Sequence, residues 1–182
     1  MDIVDNIIRS MESPIEDDFL RAFIAVARDP IVVSQADAPD LKRWAYWHPQ
    51  RLFIAAQVRL GKYRADFIAA GAFSNDRMPK VACVECDGAA FHTGPTNRAR
   101  DRARDEWFRS KGIRTMRFSG KRITRDPYKC AYAVLDYLGA REERGPVAVG
   151  WAMVGSFPDM KPVSAASAAF SNDMNFPMGD SE

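Results

Sequence analysis

Two acidic residues close a stretch that is otherwise built to be buried. Val81-Ala82-Cys83-Val84-Glu85-Cys86 is an apolar run interrupted at Glu85, and Asp87 follows before Gly88. Side chains two apart on a strand share a face, so Glu85 and Asp87 point the same way. A buried carboxylate is costly unless it is paired or metal-bound. Asp66 interrupts the run Ala65-Asp66-Phe67-Ile68 in the same manner. Neighbouring strands would bring Asp66 and Glu85 within reach of one cation. Carboxylate oxygens suit magnesium, which takes its remaining ligands from water and substrate phosphate. Such an ion polarises a phosphoryl oxygen and acidifies a bound water, the two requirements of phosphodiester hydrolysis. The competing reading pairs Glu85 and Asp87 with arginines from residues 98–117.

Other candidates are less specific. Glu16 falls three residues after Ser13, where a capping box would use it, but a first-helix carboxylate is also placed to face a metal. His92, five residues beyond Asp87, has the chemistry of a general base, proton shuttle or phosphate ligand. His48 lies in an aromatic stretch with no acid nearby in sequence. Cys83 and Cys86 have a C-x2-C spacing, but three positions apart on a strand they face opposite ways, which argues against structural zinc.

These residues need elements to hold them. A short helix is expected over residues 2–12, with Ile3, Ile7 and Ile8 together. Ser13-Pro14-Ile15-Glu16 reads as a helix start, and Ile15, Phe19, Phe23 and Val26 form an apolar stripe up to Asp29-Pro30. Ile31-Val32-Val33 is a short strand candidate. Residues 34–50 read as a loop or partly helical insertion carrying Trp44, Tyr46 and Trp47, aromatics that favour packing over a partner surface. Strands follow over 51–60, 63–70 and 80–86, with a turn at Gly61-Lys62. Residues 97–111 read as a helix with a narrow seam of Ala99, Ala103 and Trp107, ended by Gly112. A strand over 113–118 and a helix over 127–138 complete the order α-β-β-β-α-β-α, a mixed sheet flanked by helices.

The 182 residues are 47% hydrophobic and 27% charged, enough for a packed core. The net charge of +2 alone argues against a nucleic-acid binder. Its distribution reverses that inference. Residues 1–40 hold nine acids and three bases, a net of −6, whereas residues 98–129 hold twelve bases and four acids, a net of +8. Such asymmetry points to a polyanionic partner, against the plainer alternative of a solvated arginine-rich helix face. No apolar run approaches membrane-spanning length, the acidic start does not resemble a secretion signal, and the three scattered cysteines suit a reducing compartment, so a cytoplasmic protein is expected. The last 38 residues, Gly145–Glu182, are low in variety and read as a flexible tail, although Val147–Val154 is apolar enough for an edge strand. The expected organisation is an extension (1–12), a domain (13–140) and a tail (141–182).

An ordered set of motifs runs through that domain. It comprises Ser13-Pro14-Ile15-Glu16, Gln57, Tyr63-Arg64-Ala65-Asp66-Phe67 and Glu85-Cys86-Asp87-Gly88-x-x-Phe91-His92. Arg100-Asp101-x-x-Arg104-Asp105, Gly112-Ile113-Arg114-x-x-Arg117-Phe118-x-Gly120 and Asp126-Pro127-x-x-Cys130 follow. Over residues 13–138 the chain resembles endonucleases related to the very-short-patch-repair enzymes, within the PD-(D/E)XK nuclease superfamily. The resemblance implies an α/β, restriction-endonuclease-like core with a four-stranded mixed sheet. It implies magnesium-dependent DNA hydrolysis, with manganese as a substitute. Asp66, Glu85 and the backbone carbonyl of Cys86 would hold the metal. Glu16 would be the first-helix acid, Asp87 stands where the superfamily has lysine, and His92 and Gln57 would assist. Asp101 and Asp105 would orient arginines of their helix. With Gln57, Arg98, Arg102, Arg109 and Arg117 are the candidates for contacting DNA. Aspartate cannot supply lysine's positive charge, so His92, Arg117 or a second metal would have to replace it. The expectation is a DNA endonuclease, with a non-catalytic nucleic-acid-binding module on the same fold as the alternative.

Overall fold

The computed structural model describes residues 11–27, 30–33, 35, 38–73, 78–88 and 95–140, without the side chains of 39 and 95–98. The expected helix over 2–12 lies outside these residues except at its end, as does the tail from 141. The described elements are α1 (Pro14–Val26), β1 (Ile31–Val33), a short 3-10 turn (Ala38–Asp40), α2 (Leu41–Trp47), β2 (Leu52–Leu60), β3 (Tyr63–Gly71), β4 (Lys80–Asp87), α3 (Pro95–Ser110), β5 (Ile113–Ser119), α4 (Gly120–Arg125) and α5 (Pro127–Leu138). No described helix is long and apolar enough to cross a membrane.

Five strands form one sheet in the order β1-β2-β3-β4-β5. The inner pairs β2–β3 and β3–β4 are antiparallel, and the outer pairs β1–β2 and β4–β5 are parallel. The fold class is therefore the expected mixed α/β sheet, with five strands in place of four. The additional strand is Ile31–Val33, which pairs with Phe53–Ala55. All three of its side chains are buried, and a segment that short shows no alternation by which to assign it a place.

Each sheet face has its own core. On one side Phe19, Leu20 and Phe23 of α1 join Phe67, Phe118, Val134, Leu135 and Leu138. Phe19 sits between aromatic neighbours, 5.2 Å from Phe67 and 6.0 Å from Phe118 between ring centroids. On the other side Leu41 and Ala45 of α2 and Phe108 of α3 pack on Phe53, Ile68 and Val81. Trp44 packs against this second core, with its ring 6.0 Å from Phe53, so this part of the aromatic insertion is folded structure.

The seam expected on α3 holds only at Trp107. Ala99 and Ala103 are exposed, and the helix meets the sheet through Phe108, Trp107, Arg104 and Asp105. The physical reason is that the charged pair has partners on the sheet, which alanines cannot supply. Gly61 allows the close approach of this helix. It has φ +55°, and a Cβ there would stand 3.0 Å from Trp107 Cζ2. At the far end of the chain, Asp126 accepts a hydrogen bond from Lys129 N–H and Gly139 turns at φ 78°, so α5 is capped at both ends.

Phe19→Ala should cost about 3–5 kcal/mol, because the ring is fully buried among other rings that cannot collapse into its space. Urea denaturation measures this directly, and a loss below about 1 kcal/mol would contradict this packing.

Candidate active site

The alternation of faces inverts at one place in the sheet. In β2, Leu52, Ile54 and Ala56 belong to the α1 side, yet Val58 and Leu60 belong to the α2 side with Phe53 and Ala55. In β3, Phe67 and Ala69 face α1, whereas Ala65 joins Ile68 and Ala70 on the other side. The inversion falls at Gln57 and Asp66, directly opposite each other between the pairs Ala56↔Phe67 and Val58↔Ala65. Gln57 has φ 54°, a conformation that costs a non-glycine residue of order 1–3 kcal/mol and clusters at functional sites. The break frees Gln57 to reach helix α1 and leaves Asp66 facing β4.

Glu16 is 5% exposed and gathers three donors. Ser13 Oγ donates to Oε1 at 3.0 Å, while Glu12 N–H and Gln57 Nε2 donate to Oε2 at 3.0 and 2.7 Å. The carboxylate therefore ties down the helix start and faces the strand break simultaneously, two roles that compete on local spacing alone.

Asp66 Oδ2 accepts from Cys86 N–H at 2.7 Å, which locks β3 to β4 where the catalytic candidates lie. Burial raises the Asp66 pKa, the Cys86 N–H opposes that, and the charge of Glu16 adds to it. Glu85 is 4% exposed. Its Oε1 accepts from Cys83 Sγ at 3.0 Å and from Arg104 Nη2, which also donates to the carbonyl of Arg64. Burial pushes the Glu85 pKa up to about 7; Arg104 counters this and Asp66 reinforces it. The Cys83 and Cys86 thiols are driven far up, primarily by burial and then by these carboxylates, so both stay protonated. They lie in opposite cores, which is incompatible with one zinc site.

The remaining candidates scatter. Asp87 is half-buried at the end of β4, in register with Ser119. His92 and the side chain of Arg98 lie outside the described residues. Arg102 is exposed on α3, and Arg109 is exposed beside Glu106. Arg117 is held by Asp105 Oδ2 at 2.6 Å, so Asp105 orients an arginine of β5, and the expectation that it serves its own helix is corrected. Arg104 was missed as a site residue. Its signal was available: Asp101, Arg104, Asp105 and Phe108 recur at helical spacing, a face that the alanine seam obscured.

Among the described residues, no group of three or more His, Cys, Asp or Glu side chains is gathered to hold a metal ion. The donors present nevertheless fit magnesium. They are two carboxylates whose pKa values burial raises, with the charge of Asp66 adding to the rise at Glu85. Beside them lies a buried Gln57 Oε1 with no hydrogen-bond partner among the described residues. Hard oxygen donors and excess negative charge are what that cation requires, and one or two carboxylates are its usual protein share.

Comparison with known proteins bears on the fold family. Residues 49–138 match the family model REase_MTES_1575, a restriction-endonuclease-like family. This segment is similar to restriction-endonuclease-like domains. The match runs from just before β2 to the end of α5, so it contains Gln57, Asp66, Glu85 and Arg104, while Glu16 lies before it. No curated protein and no solved structure matches the chain. The match points to a nuclease as the general class of function.

The sign of the Glu85 shift gives a test. Its folded pKa of about 7 stands above the ordinary 4.5, so the stability it contributes is full below 4.5 and is lost as pH rises through about 7. In metal-free buffer, the Tm of the wild type relative to Glu85→Gln should therefore fall between about pH 5 and pH 8. A pH-independent difference would mean that Glu85 takes up no proton in this range.

Proposed function

We propose that this protein is a metal-dependent DNA endonuclease whose magnesium ion, or manganese in its place, is held by Asp66, Glu85 and the Cys86 carbonyl. The observation that carries the reading is the convergence of a buried carboxylate, Glu85, and a half-buried one, Asp66, from adjacent strands, beside the strained Gln57. Such groups destabilise a fold in isolation and are retained where charge is needed. When bound, the metal supplies Lewis acidity towards the scissile phosphate and acidifies a water.

The chain's own groups divide the remaining work. Cys86 N–H fixes the orientation of Asp66, and Arg104 and the Cys83 thiol fix that of Glu85. Arg104 is thus a positioning residue. Its positive charge, close to the carboxylates, also supplies part of what the superfamily's lysine would bring at the position of Asp87. Glu16, held by Gln57, closes the α1 side of the site. His92 is the candidate proton carrier, and Arg98, Arg102, Arg109 and Arg117 are the candidate phosphate contacts. The resemblance to very-short-patch-repair endonucleases belongs to this proposal, as does a cytoplasmic location.

One observation favours the alternative of a non-catalytic DNA-binding module: Glu85 already has a cationic partner in Arg104. Cleavage separates the two readings. With magnesium or manganese, purified protein should cut DNA, and EDTA should stop it. Asp66→Asn and Glu85→Gln should each lose about 10²-fold or more of the rate, since metal charge stabilisation is worth several kcal/mol, while DNA affinity holds or rises. Wild-type cutting by both variants would discard the site. Tight binding with no cutting under either metal would establish the binding module instead.

A further inference from the structure

Away from the carboxylates, α4 and α5 enclose a groove of about 490 Å³, with Arg122, Asp126, Tyr128, Lys129, Tyr132 and Asp136 among its lining. Tyr128 is 53% exposed and Tyr132 is 39% exposed. One helical turn apart on α5, their rings sit one above the other on the same face. Lys121, Arg122, Arg125 and Lys129 are exposed around them. Arg122 is held over the Phe118 ring at 5.1 Å. Of the two acids, Asp126 already receives Lys129 N–H as the helix cap, and Asp136 stands further along α5.

The groove lies at the same end of the sheet as the candidate active site. Gly120, the first residue of α4, comes so near the end of β4 that a Cβ there would stand 3.4 Å from Asp87 O and 3.7 Å from Gly88 Cα. It would also stand 3.3 Å from Ile15 Cδ1, beside Glu16. Helix α5 then follows α4 after Asp126 alone. Arg122 lies two residues beyond this contact, and Lys129 lies in the first turn of α5.

Resting on the nuclease reading above, we infer that this groove binds a single-stranded stretch of the DNA substrate, its phosphates on Arg122 and Lys129 and its unpaired bases stacked on Tyr128 and Tyr132. Exposed aromatic rings amid cations are the platform for unpaired bases, whose faces are open; in a duplex the same faces are covered by neighbouring base pairs. The ligand is therefore a substrate with a single-stranded flank, such as an overhang or a junction.

Fluorescence anisotropy in EDTA, where no cleavage intrudes, tests this with a labelled oligothymidylate and a duplex of equal length. The double variant Tyr128→Leu/Tyr132→Leu should weaken oligothymidylate binding about tenfold or more and leave duplex binding within about twofold. Tyr128→Phe/Tyr132→Phe, which keeps both rings, should bind as wild type. Arg122→Gln/Lys129→Gln should weaken single-strand binding and lower its salt dependence by about 0.7 per charge removed. The inference is overturned if the leucine pair binds oligothymidylate like wild type, if it loses duplex affinity equally, or if the phenylalanine pair also loses single-strand affinity. Failure of the nuclease reading has a different signature: these affinities stand, and no DNA is cut when metal is restored.

Discussion

Two carboxylates with almost no access to water, Glu85 and Glu16, each feel the charge of a third, Asp66, and their charge must be answered from within the fold. Water would ordinarily do this; here hydrogen bonds and a guanidinium do. Arg104 turns inward from α3 to meet Glu85, which gives that helix a charged inner face where alanines would have packed more simply. The same guanidinium donates to the carbonyl of Arg64, so it ties α3 to β3 as well as to β4. Asp105, one residue on, reaches Arg117 in β5. The docking of α3 thus follows from the charges on the sheet together with Trp107 and Phe108.

The compensation is incomplete, and the incompleteness has chemical meaning. Glu85 retains a raised pKa despite its arginine, because burial outweighs the pairing. Gln57 Oε1 and Arg104 Nε are buried without hydrogen-bond partners among the described residues. A fold selected only for stability would favour apolar side chains of similar volume at these positions. On the reading proposed above, this excess of negative charge and hard oxygen donors is what a cation would answer; Gln57, Asp66 and Glu85 all lie inside the segment that matches a restriction-endonuclease-like family.

The face inversion at Gln57 and Asp66 makes the two halves of the site compatible. With regular alternation, Gln57 would follow Phe53 and Ala55 onto the α2 side, away from Glu16. The positive φ at Gln57 permits the change of phase, and the carbonyl of Gln57 accepts from Gln35 Nε2 at 2.6 Å. Glu16, from outside the matched segment, is thereby joined to the strand pair inside it.

Strong local periodicity made most elements legible in the sequence. The strands bearing Asp66 and Glu85, the apolar stripe of α1, the stop at Gly112 and the Asp126-Pro127 helix start all follow from patterning, caps and backbone preferences that need no distant partner. Acids in apolar strands also marked themselves, since a carboxylate is costly to bury without a partner or a metal. The sequence by itself therefore determined most of the elements and marked the acids that interrupt them. Tertiary structure decided what no local pattern encodes: the place of the short β1 at the sheet edge, the side of α3 that faces inward, the strand break and the partner of each charge. Those outcomes depend on contacts between residues far apart in the chain. Arg104 shows the reason most plainly, for a surface arginine and a buried one look alike until the carboxylate that binds it is in place.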